Sequence, residues 1–256
     1  MKSIIVVPAR LDSKRLPNKV IADIKGKPML TWVLESCLKS KLAKSLFLCT
    51  DSKELVSIAK DCNVESFLTS CDFKSGTDRI ASITKELCND DSLNKTLIIN
   101  VQGDQPFIDP NLIDNMIIEF KNKNYLPEVM TPVYKLDKES VHNPNVVKTL
   151  LDQSQRAIYF SRSAIPHVRD VPRNKWFEKY DYFGHVGIYG YRADILIKWP
   201  FLKNSKLEEL ERLEQLRFID NGINIDTFMV KGSFLSVDTE DQLFKARTIA
   251  KDMKEV

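Results

Sequence analysis

Four cations crowd one loop near the start of the chain: Arg10, Lys14, Arg15 and Lys19 follow an apolar run at residues 4–7 and then Pro8. Arginine forks and lysine point charges at that density can hold several oxygens of a polyphosphate by charge-assisted hydrogen bonds. A phosphate loop at a strand end is usually rich in glycine, because bare backbone approaches the anion closely. Here the first glycine is Gly26. A triphosphate carries enough negative charge to need so many cations, and Pro8 and Pro17 stiffen the loop that presents them. The alternative is a solvated basic turn.

Three further groups have the chemistry to complete such a site. Asp104 in NVQGDQP and Asp238 in SVDTED each follow an apolar run. A carboxylate beside a polyphosphate is what Mg²⁺ requires, since the ion takes one or two carboxylates plus phosphate oxygens. Either residue could equally cap a turn or a helix. In HVGIYGYR, alternation sends Val186 and Ile188 to one face and His185, Tyr189 and Tyr191 to the other, a polar face fit to line a pocket. In LEELERLEQLRF, helical spacing puts Glu214 within the apolar stripe, between Leu207 and Leu210. A carboxylate there needs a partner: Arg217 in an internal ion pair, or a ligand hydroxyl.

The elements that must position these residues alternate. Apolar runs at 4–7, 46–49, 64–68 and 97–101 predict strands, and the segments 28–38, 55–59, 79–87 and 110–121 predict helices, the last with Asp109 as cap and Pro110 in the first turn. This predicts βαβ units and a parallel sheet with helices on both faces, whose ligands bind at the carboxyl ends of the strands. The basic loop, Thr50-Asp51 and Gln102-Gly103-Asp104 all lie at such ends and should meet in one crevice. GxGxxG is missing after the first strand, which argues against a dinucleotide oxidoreductase. Residues 129–191 read as a β-rich subregion of one domain spanning 1–256, with strands at 129–134, 146–151, 157–161 and 186–191. Segment 169–183 shows no period and reads as a loop or short helix. The pattern predicts a helix over 207–219 closed by Asn221-Gly222, a strand over 223–230 and a final helix after Asp238.

The bulk composition narrows the class. Apolar content is 43%, charged content 29% and net charge +3, which suits a globular protein and offers no footprint for nucleic acid. Five cysteines, none spaced as CxxC, indicate neither a disulfide framework nor a zinc site. With no signal peptide and no apolar run of membrane-spanning length, the expectation is a cytoplasmic protein with reduced thiols.

Taken in order, PARLDSKRLPNK, SGTDR, NVQGDQP, YFSRSAIP, HVGIYGYR, LEQLR and VDT resemble the 3-deoxy-manno-octulosonate (Kdo) cytidylyltransferases, also called CMP-Kdo synthetases, over nearly the whole chain. The resemblance implies a Rossmann-like mixed, mostly parallel sheet and a homodimer, with the β-rich subregion contributing to sugar site and dimer. It implies that CTP and Kdo give CMP-Kdo and pyrophosphate, for lipopolysaccharide synthesis. The basic loop then matches a triphosphate clamp. CTP contacts are implied at Pro8, Ala9, Arg10, Ser13, Arg15, Lys19, Ser75, Gly76 and Asp104, and Mg²⁺ contacts at Asp104 and Asp238. Arg10, Lys19, Asp104 and Asp238 carry the catalysis. The sugar acid is implied to contact Arg79, Gln102, Arg162, His185, Tyr189, Glu214 and Gln215, with Arg79 or Arg162 as a fork for its carboxylate. The anomeric 2-hydroxyl would attack the α-phosphorus, and no general base is evident.

The chain departs from the family pattern at four places: Asn18 for Gly, Phe73-Lys74 for His-Gln, Gln105 for Glu, and residues 131–134. Asn tolerates the left-handed backbone that Gly would adopt. Gln105 removes a charge beside the metal position, and the branch acting on the 8-amino analogue of Kdo is similar in having Gln after Gly-Asp. The rival readings are therefore a cytidylyltransferase for 8-amino-Kdo or a sialic-acid-like nonulosonate, and a non-catalytic nucleotide-binding regulator.

Overall fold

The structure is a computed structural model that describes all residues except Lys14, Asn89, Ser233 and the last three. Lys14, one of the four loop cations, thus lies outside the described residues.

Alternation along the first strand builds two cores at once. In β1 (Lys2–Ala9), Ile5, Val7 and Ala9 face one side of the sheet while Ile4 and Val6 face the other. Successive side chains point to opposite faces, so a strand that is apolar at every position must be covered on both. A short ribbon follows, β2 (Asp23–Ile24) and β3 (Lys27–Pro28), and leads into α1 (Met29–Leu38). Then come β4 (Ser45–Thr50), α2 (Lys53–Asp61), β5 (Glu65–Leu68), α3 (Gly76–Leu87), β6 (Thr96–Val101) and α4 (Pro110–Asn122). Helices α1, α2 and α4 pack on the first face and α3 on the second. Asp109 caps α4 with Pro110 at its first turn, as the sequence indicates.

These four strands pair in parallel in the order β5-β4-β1-β6. The chain moves outward from β1 through β4 to β5, then returns to place β6 on the other side of β1. The switch point of the sheet therefore lies between the carboxyl ends of β1 and β6, where a crevice opens.

Beyond β6 the sheet turns antiparallel. It continues through β7 (Val129–Lys135), the short helix α5 (Lys138–Val141), β8 (Lys148–Leu151), β9 (Ala157–Ser161), β10 (Phe183–His185) and β11 (Ile188–Arg192). Strand order from β6 is β11-β7-β10-β8-β9. Helices α6 (Ala193–Lys198), α7 (Lys206–Glu211) and α8 (Gln215–Asp220) follow, then β12 (Ile225–Met229), parallel to β7, and α9 (Glu240–Asp252). The fold is the Rossmann-like mixed sheet with helices on both faces.

Two expectations need correction, and the reading of segment 169–183 as a loop or short helix stands. Residues 207–219 are two helices, because Arg212 adopts the left-handed region (φ 56°) and ends α7. Leu210 is accordingly 71% exposed, and Glu214 sits at the start of α8 instead of within one continuous stripe. The strand expected over 186–191 is interrupted at Val186-Gly187, although the faces are as read: Val186 and Ile188 join one core, Tyr189 and Tyr191 the other. Segment 169–183 contains a 3-10 turn, Arg173–Glu178, wrapped around the buried ring of Trp176.

Gly184 sits in tight packing of the β-rich half. A Cβ there would lie 2.5 Å from Leu136 Cδ2 and 2.7 Å from Tyr134 Cζ. Gly184→Ala should therefore destabilise the fold by about 1–3 kcal/mol, seen as a lower urea midpoint at unchanged slope.

Candidate functional site

The crevice at the switch point is a cavity of about 390 Å³. The end of β1 supplies Pro8, Ala9 and Arg10, the basic loop Ser13, Arg15 and Lys19, the end of β6 Gln102, Gly103 and Asp104, and the start of α3 Ser75, Gly76 and Arg79. Asp238 and Glu214 close the walls. Two features let the loops meet. A Cβ at Gly103 would lie 3.2 Å from the Pro8 carbonyl and 3.3 Å from Ala9 Cβ, so side-chain absence permits the approach. Asn18 takes the left-handed conformation (φ 55°, ψ 26°) and turns the basic loop so that Lys19 points inward.

Lys19 is the hub. Its ammonium donates to Asp104 Oδ2 at 2.6 Å and to Asp238 Oδ1 at 2.7 Å. Burial works against the charged amine, but the two carboxylates outweigh it and hold the Lys19 pKa above its ordinary value. Arg15 reaches the same Asp238 oxygen at 3.0 Å from an exposed position. The capping alternative for Asp238 fails, because Thr239 and Gln242 form the capping box of α9 and leave that carboxylate facing Lys19. Both carboxylates are hard oxygen donors converging on one cationic position, a set that fits Mg²⁺ with phosphate oxygens completing its shell. Among the described residues there is no cluster of three or more metal-ligating side chains.

The opposite wall is α3. Ser75 and Asp78 form its capping box, and the positive end of the helix opens on the cavity. Thr77 Oγ1 donates to Glu214 Oε2 at 2.8 Å. Arg79, 2% exposed, is held from behind by Asp51 (2.6 Å), Thr69 and the Ser70 carbonyl. Thr50 and Asp51, expected at the crevice, do not line it; Asp51 instead holds Arg79 from behind. Its partner could have been sought only across the sheet.

The expected sugar residues divide. Arg79, Gln102 and Glu214 line the cavity. Tyr189 lies behind it, stacked on Tyr191 (ring centroids 5.7 Å apart). His185 packs on Tyr189 and Phe160, and its Nε2 meets Thr131 Oγ1 at 3.1 Å. Gln215 is buried with Nε2 unpartnered. Arg162 is not brought to this cavity. Its Nε donates to the Glu211 carbonyl, and the residue lines a separate shallow cleft with His142, His167, Arg173 and Trp176. The internal pair weighed for Glu214 is not formed either: Arg217 gives its fork to Glu208 at 2.6 Å and stacks on Trp199. Thr77, Phe73 and Lys74 are lining or supporting residues that the spacing of strands and helices did not single out.

Comparison with known proteins decides the family. The sequence profile described as Cytidylyltransferase matches residues 4–225. The chain belongs to this family. It is 41% identical to the 3-deoxy-manno-octulosonate cytidylyltransferase of Chloroherpeton thalassium, over 99% of this chain and all of that one. It is 36% identical to the protein of the same name from Chlorobaculum tepidum, over 98% of each. Among solved structures it is similar to a CMP:2-keto-3-deoxy-manno-octonic acid synthetase complexed with CTP, with 34% identity, a TM-score of 0.88 and coverage of 99% of this chain and 100% of that one. A cytidylyltransferase from Leptospira borgpetersenii, 17% identical with a TM-score of 0.65 over 100% of this chain and 89% of that one, shares the fold. Among the described residues no helix is long and apolar enough to cross a membrane.

Behind the cytidylyltransferase cavity, His185 is one of several groups whose titration is set by burial. Enclosure pushes the His185 pKa down to about 3. The unfolded chain, with an ordinary imidazole, binds more protons between about pH 6.5 and 3. Stability supplied by neutral His185 is therefore complete above pH 6.5 and lost as pH falls toward 3. Urea midpoints measured across that range should fall with pH, and His185→Gln should flatten the fall.

Proposed function

We propose that the chain transfers the cytidylyl group of CTP to a 3-deoxy-2-keto sugar acid, Kdo or a close variant. The products are a CMP-sugar for lipopolysaccharide synthesis and pyrophosphate. The observation that carries this reading is the convergence of Lys19, Asp104 and Asp238 at the switch point of the sheet. It occurs in a chain similar over nearly its full length to a synthetase complexed with CTP.

In this reading Arg10, Ser13, Arg15 and Lys19 hold the triphosphate oxygens, and the ends of β1 and α3 seat the nucleotide. Asp104 and Asp238 hold Mg²⁺, which supplies positive charge at the transferring phosphoryl group. The cationic loop stabilises negative charge that builds on the leaving pyrophosphate. Arg79, locked by Asp51, keeps its guanidinium at the wall where a sugar carboxylate would lie. The 8-amino analogue of Kdo remains the alternative substrate on the strength of Gln105 after Gly103-Asp104, although Gln105 is buried behind the cavity, its Nε2 donating to the Gly187 carbonyl, and does not line it. The reaction is assigned to the cytoplasm and the chain to a homodimer. A binding-only regulator has no use for two carboxylates around a cation, and this disfavours the non-catalytic alternative.

Purified protein with CTP, Mg²⁺ and Kdo or its 8-amino analogue should release pyrophosphate and form the CMP-sugar. Absence of turnover with every 2-keto sugar acid, despite CTP binding, contradicts the proposal. Asp104→Asn and Asp238→Asn should each lower kcat on the order of 10²–10³-fold. Thermal stability of Asp238→Asn should change little, since Thr239 carries the helix cap.

A further inference from the structure

Transfer to a sugar hydroxyl must dispose of a proton, and the cavity offers four carboxylates: Asp12, Asp104, Asp238 and Glu214. Asp104 and Asp238 are each engaged by the Lys19 ammonium and stand at the metal position. Asp12 is exposed on the basic loop among its cations. Glu214 differs from all three. Of the two arginines nearest it in sequence, Arg212 is exposed and Arg217 is engaged by Glu208 through two guanidinium nitrogens, each at 2.6 Å. Glu214 is held instead by a hydroxyl group: Thr77 Oγ1 donates to Oε2 at 2.8 Å. The break at Arg212 that separates α7 from α8 turns this carboxylate into the cavity.

We propose that Glu214 is the general base, a catalytic residue that takes the proton of the sugar's anomeric hydroxyl as that oxygen attacks the α-phosphorus. The proposal rests on the cytidylyl-transfer reading above. The bond formed joins the anomeric oxygen to the α-phosphorus, and the bond broken joins the α-phosphorus to its bridging oxygen. The electron pair of the broken bond leaves with pyrophosphate, and the hydroxyl proton passes to the Glu214 carboxylate and then to solvent. No other reactant is needed.

The surroundings of Glu214 suit the task. Burial raises its pKa above the ordinary carboxylate value; the Asp78 and Glu208 charges act in the same direction, against the hydrogen bond from Thr77. Tyr189 and Tyr191 on β11 face it as neutral phenols, their own pKa values raised by burial first and by Glu214 among the nearby groups. Arg79 shares the wall and is tied to Asp51, and Arg217 on α8 is tied to Glu208. A carboxylate with a raised pKa is a stronger base than an ordinary one and is better matched to proton transfer.

The test is the pH dependence of turnover with CTP, Mg²⁺ and Kdo or its 8-amino analogue, whichever the wild type turns over. Wild type should lose kcat/KM on the acid side through a group titrating above the ordinary carboxylate range. Glu214→Gln should lower kcat by about 10²–10⁴-fold, abolish that acid limb, and leave the Kd for CTP within about threefold. A variant that raises only KM for the sugar, or keeps the wild-type acid limb, overturns the proposal while leaving cytidylyl transfer intact. A wild-type enzyme inactive with every sugar acid overturns the underlying reading, and the proposal with it. Thr77→Val gives an independent check should Glu214→Gln fail to fold. Loss of that donor should move the acid limb to higher pH, and an unmoved limb counts against the assignment.

Discussion

The structure is organised around one cation between two carboxylates. Lys19 ties the loop after the first strand to the turn after β6, 85 residues on, and to the entry of α9, 219 residues on. The three side chains are mostly shielded, with 15%, 19% and 26% of their surfaces exposed. Two carboxylates brought this close repel each other unless positive charge stands between them. A cation between them therefore favours closing the C-terminal segment over the switch point. A backbone bond from Val237 N to the Asp104 carbonyl at 2.9 Å fixes the same junction. The pairing that shapes the fold at this point is also what equips it to meet a polyanion and a metal ion.

From that hub the cavity has two characters. Toward the basic loop it is open and charged, with Arg10 and Arg15 exposed and able to reorient around phosphate oxygens. Toward α3, β11 and α8 it is enclosed and hydroxyl-rich, and its titratable groups are pushed toward neutrality: His185 by burial, Tyr189 and Tyr191 likewise. Charge recognition tolerates solvent, because several cations share the load. Hydroxyl recognition and proton transfer gain from dryness, since each hydrogen bond strengthens where water is excluded.

Much of this was legible in the sequence, for reasons specific to the residues. Strands β1, β4 and β6 are apolar runs too short for helices and end in polar clusters, so both the parallel sheet and the crevice at its carboxyl edge could be read from residues 4–10, 46–51 and 97–104. Asn18 announced its left-handed turn because its short amide tolerates that conformation. Arg212 did not. An arginine at positive φ has no sequence signature, so the break between α7 and α8 was invisible, and Glu214 was assigned to the right surface by way of the wrong helix. Arg162 shows the opposite limit. Its motif matched the family pattern, but its guanidinium is bound to the Glu211 and Pro144 carbonyls, and side-chain direction after a strand end depends on partners 49 and 18 residues away. The engagement of Arg217 by Glu208 was hidden likewise, because nine residues separate the pair across that unseen break.

The most direct test of this account is a calorimetric titration of CTP into wild type and Lys19→Met, with chelator present so that the protein's own charges are read alone. The methionine keeps most of the length of the side chain and removes its charge, leaving Asp104 without the Lys19 cation and Asp238 with Arg15 alone. If Lys19 is the hub of a triphosphate site, the Kd for CTP should rise by tenfold or more, on the scale of the roughly 1.5–3 kcal/mol carried by a hydrogen bond to a charged group. A folded Lys19→Met that binds CTP as tightly as wild type would contradict the account.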